Sequence, residues 1–383
     1  MRILVLNPYG SEPGYSGPRV LLERLFAAIP ADEHGVTLVT TGRSKATDDS
    51  AEWAETTVRL VDSTSLGRMD QMRWALAAGC WVLLHARRFD VVHVHGCYLF
   101  NVVPAAAALL RRTPYALFPL TTNGDLSGAV RRSPLGAVSA LRRLLVRRAA
   151  VGYALSESIS EELVRSGMRH DRVVAIPNLV DVDDFRPPSG PDHRAELRTI
   201  GFAGKVGRRK GADIVLSALA DLRRRGWRAS AVFVGPFESP AYKQEFEARL
   251  HEEDLADVVS VTDYVDQVAP HLRNLSVFTL PSAQEGLPGA LVEAMASGLP
   301  CVVTDVGGMA DVVRRADAGA VIERSAAELA GAVHALWEHP ASWRSCSTGG
   351  RAYAVEHFRS EAVMERYLDG LTGVHGRTPV RVG

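Results

Sequence analysis

Strand-like and helix-like runs alternate along almost the whole chain, and the alternation restarts once, after Pro187-Pro188-Ser189-Gly190-Pro191. Before that break, short apolar runs at residues 3–6, 36–40, 91–95, 115–118, 152–155 and 173–176 read as strands. Helical periods at 19–29, 69–87, 102–110, 135–149 and 158–166 separate them. After the break, strand-like runs at 199–202, 229–234, 258–261, 277–279, 301–304 and 320–322 again have helices between them. The apolar runs are bounded by Gly, Pro, Asn or His, as strand ends are. Strands joined by helices must run parallel, with helices on both faces. The pattern therefore predicts an α/β chain with two Rossmann-like, doubly wound parallel-sheet domains facing a cleft. The expected limits are a first domain at 1–180, a linker at 181–198, a second domain at 199–350, and a C-terminal helix and tail at 351–383 that cross back to the first domain. In open sheets of this kind ligands sit beyond the carboxyl ends of the strands.

Composition narrows the function. The chain has 383 residues, 46% hydrophobic and 23% charged, as in a globular protein with room for two domains. Its formal net charge of zero argues against a general nucleic-acid partner. Residues 1–180 hold 21 Lys+Arg against 16 Asp+Glu, and the remainder 23 against 28. A basic first half suits domain closure on an acidic second half, or an anionic membrane. Cys80, Cys97, Cys301 and Cys346 are too scattered for a metal site or a disulfide framework. The first apolar run is too short for a signal peptide, and the run at 74–84 is too short to span a bilayer. A cytoplasmic protein is expected, with a peripheral contact at the inner face of the membrane as a further reading. The preponderance of Arg over Lys fits a bacterial source.

Two motifs carry the chemistry. Glu285 and Glu293 flank Gly286-Leu287-Pro288-Gly289-Ala290-Leu291-Val292, and the segment runs on to Gly298 and Pro300. Gly286, Pro288 and Gly289 read as a tight turn that opens a helix at Ala290. The N–H groups of such a turn and first helical turn form an anion site, and a carboxylate at each end can grip sugar or ribose hydroxyls. An acidic helix N-terminus that merely suits the dipole fits each Glu taken alone. Upstream, Gly204-Lys205-Val206 and Lys210-Gly211 lie between a strand and a helix. Only four of the 44 basic residues are Lys, and two of those are Lys205 and Lys210. Lys is a compact point charge, suited to a departing diphosphate; a solvated basic turn is the plain alternative.

Together these segments resemble the retaining nucleotide-sugar glycosyltransferases of family 4, which have the GT-B fold. The match comprises Gly204-Lys205-Val206 with Lys210-Gly211, then Glu285 to Glu293 with Ala294-Met295-Ala296-Ser297-Gly298-Leu299-Pro300, then Gly307-Gly308-Met309-Ala310-Asp311. Ile176-Pro177-Asn178-Leu179-Val180-Asp181 matches the family's interdomain segment. The resemblance implies an acceptor-binding first domain and a donor-binding second one. It assigns Lys205, Lys210 and Glu285 to catalysis. Gly17, Gly204, Gly286, Leu287, Pro288, Gly289, Ala290, Leu291 and Glu293 would bind the donor, Glu293 at the ribose and Glu285 at the sugar hydroxyls. The nucleotide-diphosphate sugar is a co-substrate, and neither cofactor nor metal is expected. Asp181-Val182-Asp183-Asp184 looks like a metal-binding Asp-x-Asp, but its place after Ile-Pro-Asn makes it a linker.

The first half departs from the family. Lys205 stands where relatives have Arg, losing the bidentate fork. Ser16-Gly17 replaces a Gly-Gly pair, and a simple turn explains a lone Gly equally well. Relatives place a His after the Pro of Pro-Tyr-x-x-x-Pro; here Leu120 follows Pro119. Thr122, Asn123 or Asp125 is a candidate replacement. In Asp90-Val91-Val92-His93-Val94-His95-Gly96 alternation puts His93 and His95 on one face. His95, at the strand end, is the acceptor-side candidate, and a buried structural histidine satisfies the same pattern. The expected activity is retaining sugar transfer to a carbohydrate, lipid-linked or small-molecule acceptor, in surface polysaccharide, glycolipid or secondary-metabolite synthesis. The rivals are a catalytically weak sugar-nucleotide binding subunit and a sugar-nucleotide epimerase of similar fold. The first βα turn lacks a Gly-x-Gly-x-x-Gly fingerprint, against a dehydrogenase.

Overall fold

The computed structural model describes residues 1–8, 17–30, 32–41, 54–61, 67–120, 136–189 and 193–375. The chain divides into two compact units, Met1–Pro177 with Glu361–Gly383, and Asn178–Ser360.

The first unit follows the order β1 (Arg2–Asn7), α1 (Gly17–Ala27), β2 (Gly35–Thr41), β3 (Thr56–Val61), α2 (Arg68–His85), β4 (Val91–His95), α3 (Val102–Leu110), β5 (Tyr115–Phe118), α4 (Gly136–Arg148), β6 (Val151–Ala154), α5 (Glu157–Arg165) and β7 (Val173–Ala175). Its seven strands lie in the order β3-β2-β1-β4-β5-β6-β7. All pairings are parallel. Ile3 is opposite Val36 on one side and Val91 on the other. Residues Ile3 to Leu6 are fully buried, as a central parallel strand covered on both faces must be.

The second unit runs α6 (Arg194–Leu197), β8 (Thr199–Ala203), α7 (Ala212–Arg224), β9 (Ser230–Val234), α8 (Pro240–Glu252), β10 (Val259–Val261), α9 (Ala269–Leu272), β11 (Val277–Leu280), α10 (Gly289–Ala296), β12 (Cys301–Thr304), α11 (Met309–Arg315), β13 (Gly319–Ile322), α12 (Ala326–Glu338) and α13 (Pro340–His357). Its strand order is β10-β9-β8-β11-β12-β13, again parallel throughout. Both sheets are thus doubly wound, and each reverses direction beside its first strand: between β1 and β4, and between β8 and β11. The crevice at such a reversal is where an open α/β sheet takes its ligand.

One strand lies where no strand is expected from the sequence, and two boundaries fall elsewhere than expected. Strand β3 carries no clear signal, because it is an edge strand that pairs only with β2 and Arg59 interrupts its apolar run. The expected linker 181–198 is packed into the second unit: Val182 and Phe185 join its core, and the buried Arg194 guanidinium donates to Ser297 O and Gly298 O at 2.8 and 3.0 Å. The C-terminal segment 351–383 is split. Residues up to Ser360 belong to the second unit, and the last helix, α14 (Ser360–His375), belongs from Glu361 onward to the first.

Candidate functional site

The second unit's site grows from the two strands at its reversal. β8 ends at Ala203 and leads through Gly204 to Lys210 and α7; β11 ends at Leu280 and leads through Ser282 to Glu285 and α10. Three helices are capped by serines: Ser156 Oγ accepts the Ile159 N–H, Ser239 Oγ the Tyr242 N–H and Ser325 Oγ the Glu328 N–H. The helices beside the reversal lack this device, as do α2, α3, α6, α9, α11 and α13. α7 starts from Gly211 in the left-handed region and α10 from Pro288, neither with a side-chain cap. In α7 the Ala212 N–H donates to Gly207 O at 3.2 Å and the Ile214 N–H to Gly211 O at 3.0 Å. In α10 the Leu291 N–H donates to Pro288 O at 3.1 Å, while the Gly289 and Ala290 N–H groups have no backbone acceptor among the described residues and are left for another acceptor.

Lys210 Nζ lies 3.1 Å from Glu285 Oε1, with both side chains only 12% exposed. Glu285 Oε1 also takes the Ser282 hydroxyl at 3.2 Å and Arg209 Nη1 at 3.2 Å. Arg209 Nη1 donates as well to Gln284 O at 2.6 Å, which ties the loop to the carboxylate it carries. Gly204 sits beneath the lysine: a methyl group there would come within 3.1 Å of Lys210 Cε and Nζ. Gly211 has φ +81°, and a side chain on it would strike Pro281 O at 2.3 Å, so the two loops close only around glycine.

The Gly307-Gly308 pair supports the acidic loop from below. Gly308 N–H donates to Gly286 O at 2.7 Å, and a Cβ on Gly307 would lie 2.3 Å from both Glu285 O and Gly286 O. Asp311 is exposed on α11. Glu293 is buried in α10, its Oε1 turned back to 3.9 Å from where a Cβ on Gly289 would stand. The Glu293 carboxylate therefore lies at the start of α10, and Glu285 is carried by the loop that leads into it, with Leu287 and Ala290 buried between them in sequence.

Lys205 is not brought to this cluster. It is exposed, and no ion pair joins it to another described residue. Sequence reasoning missed Arg209, hidden among basic neighbours, and Asn178, whose Nδ2 donates to Leu287 O. It also missed Arg324, which bonds Pro281 O at 3.2 Å and Arg208 O at 2.6 Å and so ties the two loops together. Asp181 Oδ1 accepts the Asp183 and Asp184 N–H groups at 2.9 and 3.1 Å, the work of a turn. Among the described residues no group of three or more His, Cys, Asp or Glu is placed to hold a metal ion.

In the first unit, His93 and His95 are both fully buried on one face of β4. Asn101 donates to His95 O at 3.1 Å and Gly96 O at 2.7 Å and accepts Trp74 Nε1–H at 2.9 Å, which fixes the turn leaving β4. The sequence held no signal for Asn101. Gly17 is the first residue of α1. Ser16, Thr122, Asn123 and Asp125 lie outside the described residues.

Residues 197–339 match the family model for glycosyl transferases group 1, and residues 16–179 match that for a glycosyl transferase 4-like domain. The chain is 28% identical over 234 residues to a 2-deoxystreptamine glucosyltransferase of Streptomyces kanamyceticus, covering 58% of this chain and 60% of that protein. It is 30% identical over 217 residues to a GDP-mannose-dependent alpha-(1-6)-phosphatidylinositol monomannoside mannosyltransferase of Mycobacterium tuberculosis (strain ATCC 25618 / H37Rv), covering 52% and 55%. The chain thus spans less than two thirds of the length of these relatives. The crystal structure of Anabaena Alr3699/HepE in complex with UDP superposes with a TM-score of 0.77 at 20% identity, covering 97% of this chain and all of that one. That similarity, with the two parallel sheets, gives the chain the GT-B fold.

Proposed function

The chain belongs to the glycosyl transferases of group 1, and on that premise we propose that it is a retaining, metal-independent glycosyltransferase that moves a sugar from a nucleoside-diphosphate sugar to a hydroxyl acceptor. One observation carries the reading: the Lys210–Glu285 pair stands at the sheet reversal, beside the uncapped start of α10. A diphosphate needs a cation and free N–H groups; a sugar needs a carboxylate for its hydroxyls. Lys210 and the N–H groups of Gly289 and Ala290 meet the leaving group's growing charge. Preorganised donors of this kind contribute about 100- to 1000-fold each. Glu285, held by Ser282 and Arg209, faces the sugar ring as it becomes cationic. Glu293, at the same helix start, takes the ribose. Lys205, exposed at the rim, adds long-range charge.

In the first unit, His95 at the end of β4 is the acceptor-side residue, and Thr122 and Asn123, later in the sequence than β5, join it in that role. The names of the relatives place a small molecule and a glycolipid among acceptors handled by similar chains. UDP bound to a protein of the same fold supports a nucleotide donor. The setting is the synthesis of a surface polysaccharide, a glycolipid or a glycosylated small metabolite in the cytoplasm, with peripheral contact to an anionic membrane. No described helix is long and apolar enough to cross a membrane.

A thermal-shift screen of UDP-, GDP- and ADP-sugars, followed by acceptor-dependent release of the nucleoside diphosphate, tests the reading. NMR of the product should show the donor's anomeric configuration. Binding without release, across acceptors, would mean a sugar-nucleotide binding subunit. Isomerisation of the donor sugar without acceptor would mean an epimerase.

A further inference from the structure

A chain of polar contacts crosses the apolar core of the first unit. Tyr367, on α14, is fully buried, and its hydroxyl lies 2.9 Å from His93 Nδ1. His93 Nε2 lies 3.4 Å from His95 Nδ1, with the two rings near parallel. Aromatic groups enclose the middle of this chain. The rings of Phe26 and Phe118 each lie 5.4 Å from that of His93. Tyr153 does not compete, because its own hydroxyl donates to Tyr367 O at 2.7 Å.

Hydrogen-bond accounting gives the chain a direction. The Tyr367 hydroxyl has one polar neighbour among the described residues, His93 Nδ1, and in this core its proton has nowhere else to go. His93 Nδ1 therefore accepts, so the proton of neutral His93 is on Nε2. That N–H donates to His95 Nδ1, which places the proton of His95 on its own Nε2. The reverse order would leave the Tyr367 O–H buried without an acceptor. Protonating His93 as well on Nδ1 would leave the Tyr367 O–H without an acceptor, and protonating His95 on Nδ1 would set that N–H against the His93 Nε2–H in a dry site. Burial pushes the His93 imidazole well below its ordinary value, in agreement with a neutral ring.

We propose that Tyr367 is a positioning residue which, through His93, holds His95 as the neutral imidazole protonated on Nε2. His95 then meets any oxygen at the end of β4 as a hydrogen-bond donor, and it does not serve as the base that removes the acceptor's proton. The proposal rests on the reading of His95 as the acceptor-side residue. It also gives the last helix of the chain a part in the site, since α14 supplies the group that sets the tautomer.

Long-range proton–nitrogen NMR on the full chain labelled with 15N-histidine reads this directly, with signals assigned from His93→Gln and His95→Gln. The wild-type spectrum should show both His93 and His95 protonated on Nε2 and bare on Nδ1. In Tyr367→Phe the direction is no longer set, and a second set of signals protonated on Nδ1 should emerge for both rings. Wild-type His95 protonated on Nδ1, or an imidazolium at either position, would overturn the proposal. So would a folded Tyr367→Phe with unchanged tautomers. If that variant does not fold, the wild-type spectrum alone decides. A protein with the expected tautomers that transfers no sugar would leave the relay intact and refute the proposed activity instead.

Discussion

Glu285 draws on Lys210, Arg209 and Ser282 at once, so changes to these residues should differ in sign as well as size. Lys210→Ala should lower kcat by about 100-fold or more, the cost of one preorganised donor. Lys205→Ala, at the exposed rim, should cost much less; equal losses would return Lys205 to the centre of the site. Glu285→Gln should lower kcat yet tighten binding of the bare nucleoside diphosphate by roughly tenfold, about 1.4 kcal/mol, because Lys210 and Arg209 lose their internal anion. Calorimetry showing weaker diphosphate binding in Glu285→Gln would mean that the pair does not hold the cation back. Glu293→Ala should raise Kd for nucleotides with little further loss in kcat, as ribose contacts change little in the transition state. His93 adds a pH effect. Its folded pKa is depressed below 6.5, so below that pH the unfolded chain binds a proton that the folded one refuses. Stability should be full above about pH 6.5 and fall by about 1.4 kcal/mol per unit beneath it, until the folded pKa is reached. Urea unfolding between pH 7.5 and 5.5 measures this, and a flat profile in that window would contradict a neutral buried His93.

At the scale of elements, α2, α3 and α4 form a layer in which α3 packs against both others. The outer face of α2 exposes Met69, Met72, Leu76 and Leu83 at helical spacing, and α4 exposes Leu141 and Leu144 beside Arg143, Arg147 and Arg148. Arg142 does not join them: it is buried, and its Nη2 donates to Cys97 O at 3.0 Å. We place the proposed membrane contact on this face, where three of the four arginines of α4 are exposed, each contributing about 1 kcal/mol near an anionic surface. Sedimentation with anionic vesicles should show binding at low salt, weakened by Met72→Asp with Leu76→Asp. Unchanged binding in that double variant would take α2 out of the contact. These helices also mark what the sequence discloses. Buried strands such as β1 and β5 are legible because burial on both faces writes an unbroken apolar run. The Glu285–Glu293 motif is legible because a turn and a helix start need particular residues. Arg142 was not, since helical period assigns a face but not the depth to which a long side chain folds inward. Arg209 and Asn178 were not, since they act through backbone carbonyls 75 and 109 residues away, and such pairings leave no local pattern.

At the scale of the whole molecule, the chain leaves the first unit at Pro177 and re-enters it at Glu361. The first unit is therefore built from two separated pieces, and the described part of the shorter one is a single helix. Val363, Met364, Tyr367 and Leu371 of α14 are all buried. At about 1.5–3 kcal/mol for each large apolar side chain, they contribute roughly as much as the whole net stability of an ordinary domain. The second unit, Asn178–Ser360, is continuous and carries Lys210, Glu285 and Glu293 within itself. A chain ending at Ser360 should thus lose the calorimetric transition of the first unit while keeping that of the second. The surviving transition should still move up with nucleoside diphosphate, by an amount that grows with the logarithm of its concentration. Sugar transfer should be absent, because the acceptor-side residues of β4 no longer have a folded sheet around them. If the shortened chain kept both transitions, the burial of α14 would not be holding the first unit together. If it lost both, the second unit would not be an independent folding unit.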